Sequence, residues 1–145
     1  MTMTRSELER EVWKRLRERK EPTVYLATDE GGQPRVRPVA LVVWQDRLWV
    51  ASGTRNGKSR QIRQNPQVEF CLPFSVEGRE GYVRVAGMAQ HVTDGSTRSS
   101  LAREMPWFAT YWQSPDDASF SLIEIAPTEM ELMPPEAQEP KTFFC

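Results

Sequence analysis

The chain has 145 residues, of which 39% are hydrophobic and 27% charged, and its formal net charge at pH 7 is −1. These values predict a single globular domain over residues 1–145 and exclude a disordered chain. No apolar run reaches the roughly 20 residues that cross a bilayer, so no membrane partner is expected. The two cysteines, Cys71 and Cys145, have no neighbours at metal-ligand spacing, which predicts a cytoplasmic protein without a metal site or a disulfide.

The first predicted element is a helix over about residues 5–20. Apolar residues recur there at intervals of three and four, which places them on one side of a helix. Ser6 and Glu9 have the spacing of a capping box, which predicts where the helix begins. The helix ends before Pro22, because the residue preceding a proline disfavours helical geometry.

Six β-strands are predicted next, because short runs of β-branched and aromatic residues alternate with turn residues. The strands are expected at residues 23–28, 35–44, 47–52, 67–75, 82–92 and 119–125, with residues 129–133 extending the last. Most links are too short for the crossover that parallel strands require, so the pairing is expected to be antiparallel. This pattern predicts a small barrel over about residues 22–133.

A few short helices are expected beside the barrel. Residues 58–64 form one that ends before a proline, and residues 95–112 are helical in part, with a break at Pro106. The segment 134–145 is expected to be a loosely ordered tail. The predicted fold class is therefore mainly β (α+β), with short flanking helices.

Positive charge is concentrated between Gly31 and Val68, where seven basic residues and one acid give a net charge of +6. The basic residues are Arg35, Arg37, Arg47, Arg55, Lys58, Arg60 and Arg63. A local positive field on a nearly neutral chain favours one phosphorylated small ligand. The alternative, a nucleic-acid-binding barrel, is disfavoured because the sequence pI is only about 5.9.

The segment 53–59 follows a strand and begins a helix, and it is similar to a nucleotide-binding P-loop that is one residue too short. Its glycines, Lys58 and the free amides at the start of the helix still suit an anion. Arg35 and Arg37 are two apart on one strand, so they project to the same face and are expected near this loop. A solvated basic rim is the alternative.

Pro38 cannot donate a hydrogen bond to a strand ladder, so it is expected at an edge or a bulge. The segment Arg37-Pro38-Val39 therefore predicts a place where the ladder is interrupted and main-chain groups are free for a ligand. An ordinary edge proline explains the same residue equally well.

The segments 26–28, 32–39, 48–52, 58–59, 65–66, 87–89 and 92–94 occur in a fixed order. In that order and spacing they resemble the flavin mononucleotide (FMN)-binding split-barrel family, which is related to pyridoxamine 5′-phosphate oxidase. The resemblance covers roughly residues 20–133. It implies a six-stranded antiparallel split β-barrel that forms a homodimer, with FMN in grooves at the subunit interface.

The resemblance also implies the cofactor-binding residues. Arg35, Lys58 and Ser59 would hold the phosphate of FMN, with Arg37 near the phosphate or the flavin ring. The groove that holds the flavin ring would be lined by Pro38, Val39, Ala51, Ser52 and Gly53. Trp107 or Trp112 is a candidate to cover the flavin bound mainly by the partner subunit, and core or dimer packing is the alternative for these aromatic residues.

No residue pattern indicates a general acid or base, so no catalytic side chain is assigned. The favoured function is an FMN-dependent oxidoreductase with a small-molecule substrate or electron donor. A non-enzymatic protein that binds or stores flavin, haem or deazaflavin is the alternative. Oxidation of vitamin B6 is not expected, because those oxidases end in an arginine-rich segment and here only Lys141 is basic after Arg103.

Overall fold

A computed structural model describes residues 2–54 and 57–145 of the chain. Within these residues, strands outnumber helices. In chain order they are α1 (Arg5–Arg17), β1 (Thr23–Glu30), β2 (Gln33–Trp44), β3 (Arg47–Gly53), α2 (Lys58–Gln64), β4 (Gln67–Val76), β5 (Arg79–His91), α3 (Gly95–Arg103), α4 (Phe108–Tyr111), β6 (Phe120–Met133) and β7 (Lys141–Phe144).

The strands form one antiparallel sheet in the order β3-β2-β1-β4-β5-β6-β7, and β3 also pairs with β6. Strands β1 to β6 therefore close a ring, and β7 pairs with the C-terminal half of β6. The 14 residues of β6 make this possible, because its first half pairs with β3 and its second half continues along β5. The predicted fold class, a mainly antiparallel split barrel of six strands, is confirmed.

Two apolar clusters hold these elements in place. The larger cluster joins the inward-facing side chains of the ring to Leu8, Val12 and Leu16 of α1. The smaller one packs Leu101 of α3 and Phe108 of α4 against side chains of β2, β3 and β6. This second cluster fixes α3 and α4 beside the sheet, which positions the aromatic residues discussed below.

The start of α1 differs from the prediction. The N-cap is Thr4 rather than Ser6, and Thr4 Oγ1 accepts a hydrogen bond from the Glu7 amide at 3.2 Å. Thr4 and Glu7 have the same spacing as Ser6 and Glu9, so the sequence pattern fits both positions. The helix also ends at Arg17, three residues earlier than expected.

The C-terminal segment also differs from the loosely ordered tail that was predicted. Residues 141–144 form β7, which pairs with residues 129–132 of β6. Phe143 is buried and belongs to the larger apolar cluster. A four-residue strand has little local signal, so this order comes from pairing with a distant strand.

The register of β2 explains the place of Pro38. Residues 33–40 pair with β1, whereas pairing with β3 begins only at Ala40. The Leu41 amide donates to Pro22 O on the β1 side at 2.7 Å. Because successive amides of a strand alternate in direction, the nitrogen of Pro38 faces the open edge. The ladder with β1 is continuous through Pro38, and the free main chain lies on the other side.

The β5–β6 pairing predicts a strong effect at one glycine. The register shifts between Ala86 and Gly87, and a Cβ added at Gly87 would lie closer than van der Waals contact to Ala126 O. We expect Gly87→Ala to lower the free energy of unfolding by about 1–3 kcal/mol, measured by urea denaturation. Gly95→Ala is the matched control, because a Cβ there meets no atom within 4 Å. Equal stability of the two variants would contradict this prediction.

Candidate functional site

A cleft of about 330 Å³ lies on the outer face of β1, β2 and β3 and is closed on one side by α4. We call it the aromatic cleft. The cleft is lined by all the residues that the resemblance implied for the flavin-ring groove and by Trp107. These residues are Pro38, Val39, Ala51, Ser52, Gly53 and Trp107. The structure therefore brings together residues that lie up to 69 positions apart in the chain.

The floor of the aromatic cleft is made of small residues. Ala40 and Ala51 are register partners on β2 and β3, and Thr23 of β1 pairs with Ala40 on the other side. Pro38 and Gly53 continue this floor, two residues along from each alanine. Small side chains leave the sheet surface flat, so a planar ring could lie close to the backbone.

Aromatic side chains form the wall of this cleft. The ring centroid of Trp107 lies 6.2 Å from that of Tyr111 and 6.3 Å from that of Trp112. Trp112 is only 7% exposed, and its indole Nε1 donates to Ser119 O at 3.1 Å, which fixes the wall. Tyr111 is 68% exposed at the rim. Trp107 and Trp112 both line this cleft of their own chain.

A buried cation lies behind Gly53 at the end of the aromatic cleft. Lys58, the first residue of α2, has no exposed surface, and its Nζ donates to Gly53 O at 3.0 Å. Burial, together with the nearby charge of Arg37, lowers the pKa of Lys58 to about 8. An anion that binds close to such a lysine stabilises its charged form.

Arg37 is the second cation at this end of the site. Its Nη1 donates to Thr28 Oγ1 at 2.8 Å, and its Nη2 donates to Gln61 Oε1 at 2.6 Å. Within the described chain, the hydrogen-bond acceptors around Arg37 are therefore neutral groups. Burial is the main cause that lowers the pKa of Arg37, with the charge of Arg35 second. The charge of Arg37 lies close enough to lower the pKa of Lys58, so the two cations form a positively charged pair, of which Lys58 bonds Gly53 O.

Arg35 lies apart from this pair. Its guanidinium is exposed and contacts Glu30 Oε1 at 3.4 Å. Glu30 also accepts hydrogen bonds from Gln61 Nε2 at 2.7 Å and Arg60 Nη2 at 2.6 Å, and these bonds lower its pKa. The charge of Arg37 thus acts on Lys58 and the charge of Arg35 acts on Arg37, while the side-chain contact of Arg35 is with Glu30.

Ser59 lines a different space, a polar cleft of about 740 Å³ that Thr54 also lines. Its hydroxyl lies 3.4 Å from Ser121 Oγ, and its carbonyl lies 3.3 Å from His91 Nε2. Burial lowers the pKa of His91. Arg55 and Asn56, which belong to the predicted anion-binding segment, lie outside the described residues.

Among the residues of the site that sequence reasoning missed are Thr28, Glu30, Gln61 and Tyr111. The dense aromatic stretch around residue 107 was a signal for Tyr111. The other three carry no local signal, because their role depends on contacts between β1, β2 and α2.

The pKa of Lys58 predicts how the stability of the ligand-free protein depends on pH. This pKa is about 8 in the folded protein against an ordinary 10.5. Between these values the unfolded chain binds more protons, so the free energy of unfolding should rise with pH, by on the order of 1–3 kcal/mol. Urea denaturation across this range would measure the rise.

Lys58→Met is the control for this pH effect and should lack the rise. Burial raises the pKa of Cys71 and Tyr82, which lowers stability at the upper end of the range in both proteins. The difference between wild type and variant therefore isolates the lysine. A difference that does not change with pH would contradict the assigned pKa.

None of the described helices is both long and apolar enough to span a membrane. Nor do three or more potential metal-ligating side chains come together within residues 2–54 and 57–145.

A family model described as pyridoxamine 5′-phosphate oxidase matches residues 9–134 of this chain. No curated protein matches this chain. Among solved structures, a NimC/NimA family protein from Clostridium acetobutylicum is 24% identical, and the match covers 92% of this chain and 90% of that one with a TM-score of 0.74.

Two further solved structures show the same fold. General Stress Protein 26 from Bacillus anthracis is 19% identical, with 95% of this chain and 98% of that chain covered and a TM-score of 0.75. A heme binding protein from Mycobacterium smegmatis is 14% identical, with 99% and 59% covered and a TM-score of 0.73. At these identities the likeness concerns the fold.

Proposed function

The chain belongs to the pyridoxamine 5′-phosphate oxidase family, and from that premise we propose that it is a small FMN-binding oxidoreductase of the cytoplasm. One observation carries the proposal, namely that Gly53 lines the aromatic cleft while its carbonyl accepts a hydrogen bond from Lys58, which is electrostatically paired with Arg37. The cleft suits a planar apolar ring and the cations suit a phosphate. FMN has both parts joined by a short polar chain.

The ring end fits an isoalloxazine in size and chemistry. The aromatic cleft, at about 330 Å³, is within the usual range of small-molecule pockets. Its floor of small residues admits a flat ring, and Trp107 supplies an aromatic wall. The open edge of β2 beside Pro38 leaves main-chain groups to bond the polar rim of the ring.

The positive charges of Arg37 and Lys58 suit the phosphate of FMN. Arg37 can form charge-assisted hydrogen bonds, and Lys58 adds a buried positive charge. Arg35 and Ser59 remain proposals for this end, since one is exposed beside Glu30 and the other faces the polar cleft.

When bound, the flavin would supply the redox chemistry by exchanging electrons between a donor and a small-molecule substrate. The residues of this chain would hold the ring, orient it and exclude water from one face. Among the described residues that line the aromatic cleft, Tyr111 has the only ionisable side chain. We therefore assign no catalytic side chain.

A homodimer with the flavin at the subunit interface is part of the proposal. Members of this family are typically dimeric, and the exposed aromatic ring of Tyr111 at the rim suits a protein interface. Light scattering coupled to size-exclusion chromatography should give twice the chain mass of 16.7 kDa. A monomer that binds FMN fully would contradict this part alone.

The absorption spectrum of the purified protein tests the function directly. We expect a yellow protein that releases FMN on denaturation, and an apoprotein that quenches the fluorescence of added FMN. Anaerobic stopped-flow reduction by a nicotinamide nucleotide then distinguishes an oxidoreductase from a storage protein. A colourless protein that does not take up FMN would contradict the proposal.

A non-enzymatic binder of flavin, deazaflavin or haem is the second candidate, because the M. smegmatis relative of this fold is a heme binding protein. The single histidine of this chain, His91, lines the polar cleft and not the aromatic cleft. An axial imidazole ligand is therefore not available beside Trp107. A Soret band on titration with haem, stronger than the response to FMN, would favour this candidate.

A further inference from the structure

Gln61 is held in one orientation by three hydrogen bonds. Its Nε2 donates to Glu30 Oε2 at 2.7 Å, and its Oε1 accepts from Thr28 Oγ1 at 2.5 Å and from Arg37 Nη2 at 2.6 Å. The side chain is 4% exposed, so water does not compete for these groups. Because an ionised Glu30 can only accept, the amide nitrogen must face it and the amide oxygen must face Arg37.

The acceptor that Gln61 offers to Arg37 is a neutral amide oxygen rather than a carboxylate. A glutamate at position 61 would offer an oxygen to Arg37 at the same place, but it would also cancel the charge of the guanidinium. The amide orients the guanidinium and leaves its charge for a ligand. The carboxylate of the network, Glu30, contacts Arg60 and Arg35 instead.

The backbone supports the same arrangement. Gln61 lies three residues after Lys58 on α2, so the two side chains emerge on the same side of the helix. The preceding Gly57 has a left-handed φ of 82°, and a Cβ there would lie 3.1 Å from Gln61 Nε2. A side chain at position 57 would therefore be strained by its backbone and crowd the amide.

We propose that Gln61, locked by Glu30, is a positioning residue that makes the site selective for a phosphorylated ligand. It fixes the guanidinium of Arg37 toward the Lys58 end of the site without neutralising it. This inference rests on the proposed function, because it names the group that Arg37 serves as the phosphate of FMN. Riboflavin has the same ring without the phosphate, so the two ligands separate the ring end from the phosphate end.

The test is the affinity of Gln61→Glu for FMN and for riboflavin, measured by quenching of flavin fluorescence. We expect FMN affinity to fall by about tenfold or more, because a new carboxylate competes for Arg37 and repels the phosphate. Riboflavin affinity should stay within about threefold of wild type, since no charge of the ring end changes. Gln64→Glu is the matched control, because it adds the same charge on an exposed position of α2 and should leave both affinities unchanged.

Glu30 provides a second test that does not introduce a charge beside Arg37. Glu30→Gln keeps an oxygen that accepts from Gln61 Nε2 and should retain the wild-type preference for FMN over riboflavin. Glu30→Ala releases the amide and should lower that preference. Thermal melting of each variant would establish that it is folded.

Three results would overturn the inference. The first is wild-type FMN affinity in Gln61→Glu, and the second is an equal loss of FMN and riboflavin, which would indicate a structural role. The third is an identical FMN preference in the two Glu30 variants. A wild-type protein that binds neither flavin would instead contradict the proposed function itself, so the two failures are distinguishable.

Discussion

Replacing Lys58 by methionine is expected to lower the affinity for FMN by about 30-fold or more, because removing one charge of a buried contact costs about 2–5 kcal/mol. The methionine side chain has nearly the same length and fits the buried space, so the fold should be retained. Isothermal titration calorimetry of the apoprotein with FMN and with riboflavin is the measurement. Riboflavin affinity should change little, because Lys58 lies at the Gly53 end of the cleft.

A pH titration of the wild-type protein offers an independent reading of the same effect. Since the pKa of Lys58 is about 8 in the ligand-free protein, its charge is lost as the pH rises through that value. FMN affinity should therefore decrease over this range, with proton uptake on binding, and the decrease should be absent in Lys58→Met. Lys14→Met is the matched control, because Lys14 is exposed on α1. Equal FMN affinity in Lys58→Met and Lys14→Met would rule out the lysine as part of the phosphate site.

Replacing Gly53 by leucine is expected to weaken the binding of FMN and riboflavin alike, by about tenfold or more. Gly53 lines the aromatic cleft, and a Cβ there meets no atom within 4 Å, so the new side chain would occupy the space proposed for the ring. Steric exclusion of this kind costs about 1–3 kcal/mol or more, which is a loss of about tenfold or greater. The backbone of Gly53 is an ordinary strand conformation, so thermal stability should stay near that of wild type.

The smaller Gly53→Ala variant is the control for this prediction. It alters the same position but leaves most of the cleft open, so both flavins should still bind. Full binding of riboflavin by Gly53→Leu would show that the ring lies elsewhere. Together, Lys58→Met and Gly53→Leu separate the two ends of the site, because only the second should affect riboflavin.

Much of the fold followed from patterns within a few residues. The bounds of α2 agree with the prediction, because Gly57 precedes it and Asn65-Pro66 stops it, and both signals are local. The β2–β3 hairpin was predicted from two polar residues between apolar strands, and Gln45 and Asp46 indeed have positive φ there. Where a local signal fitted two positions, as at Thr4 and Ser6, the prediction was wrong by one half-turn of helix.

The ring end of the candidate site was also predictable, but through the resemblance to a family and not through periodicity. Pro38 and Gly53 are on strands that pair in sequence, so their meeting follows from the hairpin. Trp107 comes from a later segment, and only the packing of α4 against the sheet brings it to the same cleft.

The sequence by itself determined the six strands of the ring, their antiparallel pairing and the positive charge of the segment 31–68, because alternation, turn chemistry and charge are all encoded locally. Only the tertiary structure decided which cations share a site. Arg37 meets Gln61 across 24 positions, whereas Arg35 meets Glu30 although it lies on the same strand face as Arg37. Side chains of identical chemistry can take different partners because the partner is chosen by distance and burial, which the folded backbone sets.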